Sequence, residues 1–232
     1  MSRKQPKVYF SHWTSVGGPG FQDFDFDYPI SWEHWGDWAR ACQRGEARPQ
    51  EDFPNPIWTA EMRPNKQPPD ATRASDVPVV SARFRALLEE FDLGGSVFYP
   101  VAILKKNRKD AYEGDFFYFN IRSLKNALRV EETVAATLKA TKKTVMIPEV
   151  LRYIKDGKSL PYRDAPPDAL LHITEYGGDL KLVLSDEALG GADLWFEERL
   201  HSQVVFFSEP LRDSIKAANI RPMTTYPVKV LQ

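Results

Sequence analysis

The stretch VPVVSARFRALLEEFDLGGSVFYPVAILK, beginning at Val77, can be laid without a gap over VVFFSEPLRDSIKAANIRPMTTYPVKVLQ, beginning at Val204. At this offset of 127 positions, Ser81 meets Ser208, Arg85 meets Arg212, Tyr99-Pro100-Val101 meets Tyr226-Pro227-Val228, and Leu104 meets Leu231. Between the identities the apolar positions stay in phase: Val79 with Phe206, Phe84 with Leu211, Leu88 with Ile215, Ile103 with Val230. Each copy reads as a strand, a helix of about three turns with serine at its N-cap, a tight connection and a second strand. The pattern predicts an α+β fold: a mixed sheet with short helices, containing two similar strand–helix–strand units.

The rest of the chain is read around these units. GGSVFYPVAIL, KKNRKDAYEGD and FFYFNI predict a hairpin with a polar turn. EETVAATLKA and PEVLRYIK predict helices, ALLHITEY and DLKLVL strands, and DLWFEERLHSQVVFF two strands joined by a turn. Upstream, Pro49, Pro54, Pro56, Pro64, Pro68, Pro69 and Pro78 forbid long helices, since proline lacks the amide donor and clashes with the preceding turn. Residues 44–76 are therefore expected as an extended connection along the surface, with a short strand at PIWTAEM. Before it, Trp32, Trp35 and Trp38 recur every three residues in SWEHWGDWARAC, a helical stripe with Ser31 at the N-cap position. The expected division is residues 1–76, an aromatic and acidic segment with its Pro-rich connection packed on the body, and residues 77–232, the α+β body.

The blocks VVSARFRALLEE, VFYPV and VVFFSEPLRDSIKAANIRPMTTYPV, with FFYFNIRSLKNALRVEETV between them, carry a further resemblance. The chain resembles the immunity proteins of bacterial polymorphic toxin systems, a family first catalogued as a domain of unknown function. The resemblance covers roughly residues 77–231, does not reach the N-terminal third, and departs at Arg221-Pro222, where that family often has a glycine. It implies a small cytoplasmic protein that binds and neutralises a cognate toxin or effector by stoichiometric contact, with no catalysis and no cofactor.

Thirty-one basic and 32 acidic residues leave a net charge of −1, so no overall field favours nucleic acid or an anionic membrane. Cys42 is the single cysteine, which rules out an internal disulfide or a cysteine cluster for metal. The start MSRKQPKVYFSHW lacks the apolar core of a signal peptide, and no stretch approaches the ~18 apolar residues of a membrane span; a cytoplasmic location is expected. His12, His34, His172 and His201 are scattered without a two-ligand helix spacing. No G-x-S-x-G elbow, phosphate-binding loop or dinucleotide turn occurs, and SVGGPGF reads as a turn. Adjacent carboxylates such as Glu89-Glu90, Glu131-Glu132 and Glu197-Glu198 point to different sides of a helix or strand. Ser81 and Ser208 precede apolar-periodic helices and read as caps, with no base placed near them to make a nucleophile. Two other classes stay open: an enzyme of unrecognised type, such as a hydrolase reversing a toxin's modification, and a regulatory scaffold.

One stretch is chemically unusual. FQDFDFDYPISWEHWGDW, residues 21–38, holds Asp23, Asp25, Asp27, Glu33 and Asp37 with no lysine or arginine. In DFDFDY acids and rings alternate, so an extended segment shows one ring face and one acid face. As a docking surface, Asp23, Asp25, Asp27, Tyr28, Trp32, Glu33, Trp35 and Asp37 would meet a basic toxin surface, the rings anchoring and the carboxylates steering. The competing reading folds the rings back onto the body and leaves the acids wet. Calcium fits less well, because the glycine and distal glutamate of a calcium loop are missing. Lys105, Lys106, Arg108 and Lys109 crowd one predicted hairpin turn, read as a solvated tip without an aromatic platform for nucleic acid.

Overall fold

The computed structural model describes residues 7–13, 24–26, 32–59, 67–74, 77–141, 151–155, 158–166, 169, 171–173, 180–200 and 204–231. In chain order the elements are β1 (Val8–Ser11), β2 (Phe24–Asp25), α1 (Trp32–Gln43), β3 (Ile57–Thr59), β4 (Ala71–Ala74), β5 (Val77–Ser81), α2 (Ala82–Leu88), β6 (Val97–Val101), β7 (Ile103–Leu104), β8 (Phe116–Asn120) and β9 (Leu124–Lys125). There follow α3 (Val130–Thr141), β10 (Leu151–Lys155), β11 (Lys158–Pro161), β12 (Leu171–Ile173), β13 (Val183–Ser185), β14 (Leu194–Glu197), β15 (Val205–Ser208), α4 (Glu209–Ala217) and β16 (Tyr226–Leu231). The strands form a six-stranded sheet (β13-β16-β1-β15-β14-β9), a four-stranded sheet (β4-β5-β8-β6) and two three-stranded sheets (β11-β10-β12 and β2-β3-β7). The pairings are mixed parallel and antiparallel, and the protein is of the α+β class.

Each of the two quoted stretches forms a strand, a short helix and a second strand, and in each the two strands are separated by a third. β8 runs antiparallel between β5 and β6, aligning Val80, Phe117 and Pro100 in one row and Ser81, Phe116 and Val101 in the next. β1 runs antiparallel between β15 and β16, aligning Phe207, Tyr9 and Pro227, then Ser208, Val8 and Val228. The helices start for the same local reason. Ser81 Oγ accepts from the Phe84 amide at 3.2 Å and Ser208 Oγ from the Leu211 amide at 3.3 Å, meeting donors that a helix start leaves open. α4 stops where Asn219 turns left-handed at φ 54° and Ile220 N–H returns to the Ile215 carbonyl, a Schellman closure.

Alternation along the strands divides the core. Val8, Phe10, Trp195, Phe206 and Val228 of the six-stranded sheet face a cluster completed by Val130 and Val134 of α3 and by Leu151, Tyr153, Leu171 and Ile173. The opposite face gives Leu194, Phe196, Val205 and Phe207 to a second cluster with Phe84, Leu88, Leu211, Ile215, Val80 and Phe119. The two capped helices thus fill the space between the large sheets, and Arg83 of α2 donates to the Ala218 carbonyl at the end of α4. A third cluster covers the far face of the four-stranded sheet, joining Val79, Tyr118 and Val101 to Trp38 and Cys42 of α1 and to Ile57, Trp58 and Ile103 of the smallest sheet.

Several expectations change. PEVLRYIK is not helical over its described part: Leu151–Lys155 is a strand between β11 and β12, with Leu151 and Tyr153 buried two residues apart. Its apolar residues satisfy period two once neighbours pair with them. The Pro-rich stretch is more than a surface connection. Ile57, Trp58 and Thr59 are buried in β3, and β4 is buried along its length against β5. Pro49, Pro54, Pro56, Pro68 and Pro69 lie outside β3 and β4, where no ladder donor is lost, whereas Pro78 stands within β5 opposite Arg73. Residues before 77 pair with residues after it: β1 with β15 and β16, β3 with β7, and β4 with β5. DLKLVL is strand only from Val183 onward. The expected cap Ser31 lies outside the described residues.

Candidate docking surface

α1 places the end of the acidic and aromatic stretch. Trp38, Ala39, Ala41 and Cys42 turn inward, Trp38 edge-on to Phe53 with centroids 5.2 Å apart. Asp37 and Arg40 point outward and pair at 2.5 Å. The helix ends at Gly45, φ +69°, where a Cβ would stand 3.0 Å from the Arg122 carbonyl oxygen.

Of the residues expected to contact a partner, Asp37 is exposed. Asp25 closes β2 opposite Trp58. Trp32, Glu33 and Trp35 lie on the first turns of α1, their side chains outside what is described. Asp23, Asp27 and Tyr28 lie outside the described residues. The rings between the acids have a definite place: Phe24 and Phe26 are buried with Trp38, Phe53 and Trp58. They are core, so they anchor this chain and not a partner.

The turn after β7 is the second charged feature beside this region. Lys105 N–H donates to the Asp110 carbonyl and Arg108 N–H to the Lys105 carbonyl. Asn107 ties the loop from inside: Oδ1 accepts from the Lys109 and Asp110 amides at 3.0 and 3.1 Å, and Nδ2 donates to the Asp110 carboxylate at 2.8 Å. Arg108, left-handed at φ 57°, lays its guanidinium 3.9 Å from the Trp58 ring centroid. Sequence reading found the four cations. It missed the lock, although Asn107 two residues before Lys109 was its signal.

Elsewhere, several described titratable groups are shifted by burial. Burial, the largest cause, pushes the Cys42 thiol up to about 12 although Arg48 opposes it, so the sulfur is protonated and covered. Burial holds His12 down at about 4, its ring edge-on to Phe10. Glu197 is raised to about 7 by burial, although main-chain amides, including Ala127 N–H at 2.9 Å, favour its charged form. Lys125 is lowered to about 8 by burial; its ammonium donates to the Ala188 and Ala192 carbonyls and lies 3.5 Å from the Trp195 centroid. Among the described residues no group of three or more His, Cys, Asp or Glu could hold a metal ion. No described helix is long and apolar enough to cross a membrane.

These features define an α+β protein whose single cysteine is buried in the core and whose Ser81 and Ser208 cap helices. The chain belongs to the Immunity protein family (Imm11), whose model matches residues 27–230. The match starts well before residue 77 and takes in α1 and the Pro-rich stretch, correcting the narrower extent read from the sequence blocks. No curated protein matches the chain.

Proposed function

We propose that this protein is a toxin-neutralising immunity protein acting in the cytoplasm by stoichiometric protein–protein contact, without catalysis. The observation that carries this reading is the family match over residues 27–230. Residue chemistry supports it: the serines that recur at the helix starts accept main-chain amides, and the single cysteine is a buried thiol with no tendency to ionise. The contact surface assigned to the toxin includes the acidic stretch Asp23, Asp25, Asp27, Tyr28, Trp32, Glu33, Trp35 and Asp37. Carboxylates at a rim steer a basic partner and set the association rate more than the final affinity.

Co-expression with candidate toxins encoded beside its gene tests the reading. Restored growth and a one-to-one complex on size-exclusion chromatography are expected. Absence of both sinks it. Rescue at a small fraction of the toxin's amount would instead favour the enzymatic reading, in which each molecule acts repeatedly.

A further inference from the structure

We propose that the turn Lys105–Asp110 is a preformed docking element for an acidic segment of the toxin. This rests on the toxin-binding reading above. Residues Lys106–Asp110 are exposed, and four cations crowd the turn against the single carboxylate of Asp110, which Asn107 engages. No ion pair among the described residues engages Lys105, Lys106 or Lys109. Like charges held this close repel, and a loose lysine loop would spread them. Here the reverse is built. Three Asn107 side-chain hydrogen bonds, a left-handed Arg108 and its stack on Trp58 hold the turn's backbone, from which the lysines project, in one conformation. A docking element of this kind loses little conformational entropy when a partner arrives.

The chemistry favours an acidic protein segment over nucleic acid. The two rings next to the turn, Trp58 and Tyr112, are buried beneath Arg108 and Lys105, so no ring face is offered to a base. The chain's net charge of −1 gives a phosphate polymer no wider field to follow. Location adds to this. β3 pairs with β2 on one side and with β7 on the other, Asp25 standing opposite Trp58 and Trp58 opposite Leu104, one residue before the turn. Asp25 and the basic turn therefore belong to opposite edges of one three-stranded sheet, and a partner face that meets both carries both signs.

The test compares the wild-type protein with Lys106→Glu/Lys109→Glu and Lys106→Gln/Lys109→Gln, which leave the Arg108–Trp58 stack in place. Association with a catalytically inactive form of the cognate toxin domain is followed at low and high salt, alongside thermal melting. Unchanged melting is expected, with association roughly tenfold slower at low salt for the charge-reversed protein, a smaller loss for the neutral one, and convergence at high salt. Equal rates for all three proteins at both salts overturn the proposal while toxin binding stands. A wild-type protein that does not bind at all overturns the toxin-binding reading itself. Retardation of a short duplex DNA or single-stranded RNA by the wild-type protein alone would reassign the turn to nucleic acid.

Discussion

Arg85 and Arg212, 127 positions apart, make the same contact in two different sheets: the guanidinium of Arg85 lies 4.4 Å from the centroid of Phe117, and that of Arg212 lies 3.8 Å from Tyr9. Both rings are the middle residue of a row that ends in proline, Pro100 in one sheet and Pro227 in the other. Each arginine therefore braces its helix against the strand inserted between that helix's two flanking strands. Arg212 is the more enclosed, with 19% of its side chain exposed against 35% for Arg85. Replacement by alanine should cost about 1–2 kcal/mol at Arg212 and about 0.5–1 kcal/mol at Arg85, read from urea denaturation midpoints. Equal and negligible losses would mean that the contacts contribute nothing.

The serines at the helix starts give a second comparison. Ser208→Ala removes one acceptor for the Leu211 amide and should destabilise by about 1 kcal/mol. Ser81→Ala should cost more, because Ser81 Oγ also donates to the Asp70 carboxylate at 2.8 Å. Aspartate at position 208 should recover most of the loss, since it caps as well as serine. Neutralisation of toxin by the Ser208 variant should persist wherever the protein is folded, whereas abolished protection by a folded variant would return the serine to the list of active groups.

How far the sequence revealed this arrangement depends on the range of the forces concerned. Ser81 and Ser208 were legible because capping is decided within three residues. The hairpin of β6 and β8 was legible because its turn residues are local. β1 was not: Val8-Tyr9-Phe10 is too short to declare itself, and its place between β15 and β16 is decided by partners some two hundred residues away. The same holds for Leu151–Lys155, whose strand state comes from two neighbours. At the surface, composition showed the charges of residues 23–37 and 105–109. It could not show that Phe24 and Phe26 are core, nor that Arg108 rests on Trp58, because both facts are made by tertiary packing.

Two groups shifted by burial, Glu197 in the core and half-buried His12, should oppose each other in the pH dependence of stability. Glu197 has a folded pKa of about 7 against an ordinary 4.5, so the folded state holds the proton more tightly, and stability falls as pH rises between these values. His12 has a folded pKa of about 4 against 6.5, so stability is lost as pH falls through that window. Each effect is worth at most ~3 kcal/mol, and across the shared range they largely cancel. Glu197→Gln should therefore leave a stability that rises with pH from about 4.5 to 6.5, and His12→Phe one that falls. Parallel profiles for wild type and both variants in denaturant titrations would refute the assignment.

Gly94 and Gly190 separate backbone demand from simple turn composition. Gly94 is left-handed at φ +58°, and an added Cβ would lie 2.7 Å from Ser123 Cβ. Gly94→Ala should destabilise by roughly 2–3 kcal/mol, from conformational strain and from displacement of the strand entry at Ser123. Gly190 has an extended backbone at φ −103° with nothing within 4 Å of a Cβ. Gly190→Ala should be neutral or stabilise by up to ~1 kcal/mol through loss of unfolded-state freedom. Thermal melting of the two single variants checks the ordering.

Rings and acids of the N-terminal stretch should respond to substitution in opposite ways. Phe24 and Phe26 are 4% and 7% exposed, within the cluster around Trp38 and Trp58, and each alanine replacement should cost about 3–5 kcal/mol. Asp37 pairs with Arg40 at the surface, both side chains at least half exposed, so Asp37→Lys should change stability by less than about 0.5 kcal/mol. If the stretch meets a basic toxin surface, the same substitution slows association in a salt-dependent way without changing the melting temperature. The comparison is decisive because positions of one acidic and aromatic stretch test different properties. A ring variant that weakens binding only in proportion to unfolding belongs to the core, and an Asp37 variant that binds unchanged at low salt removes α1's outer face from the interface.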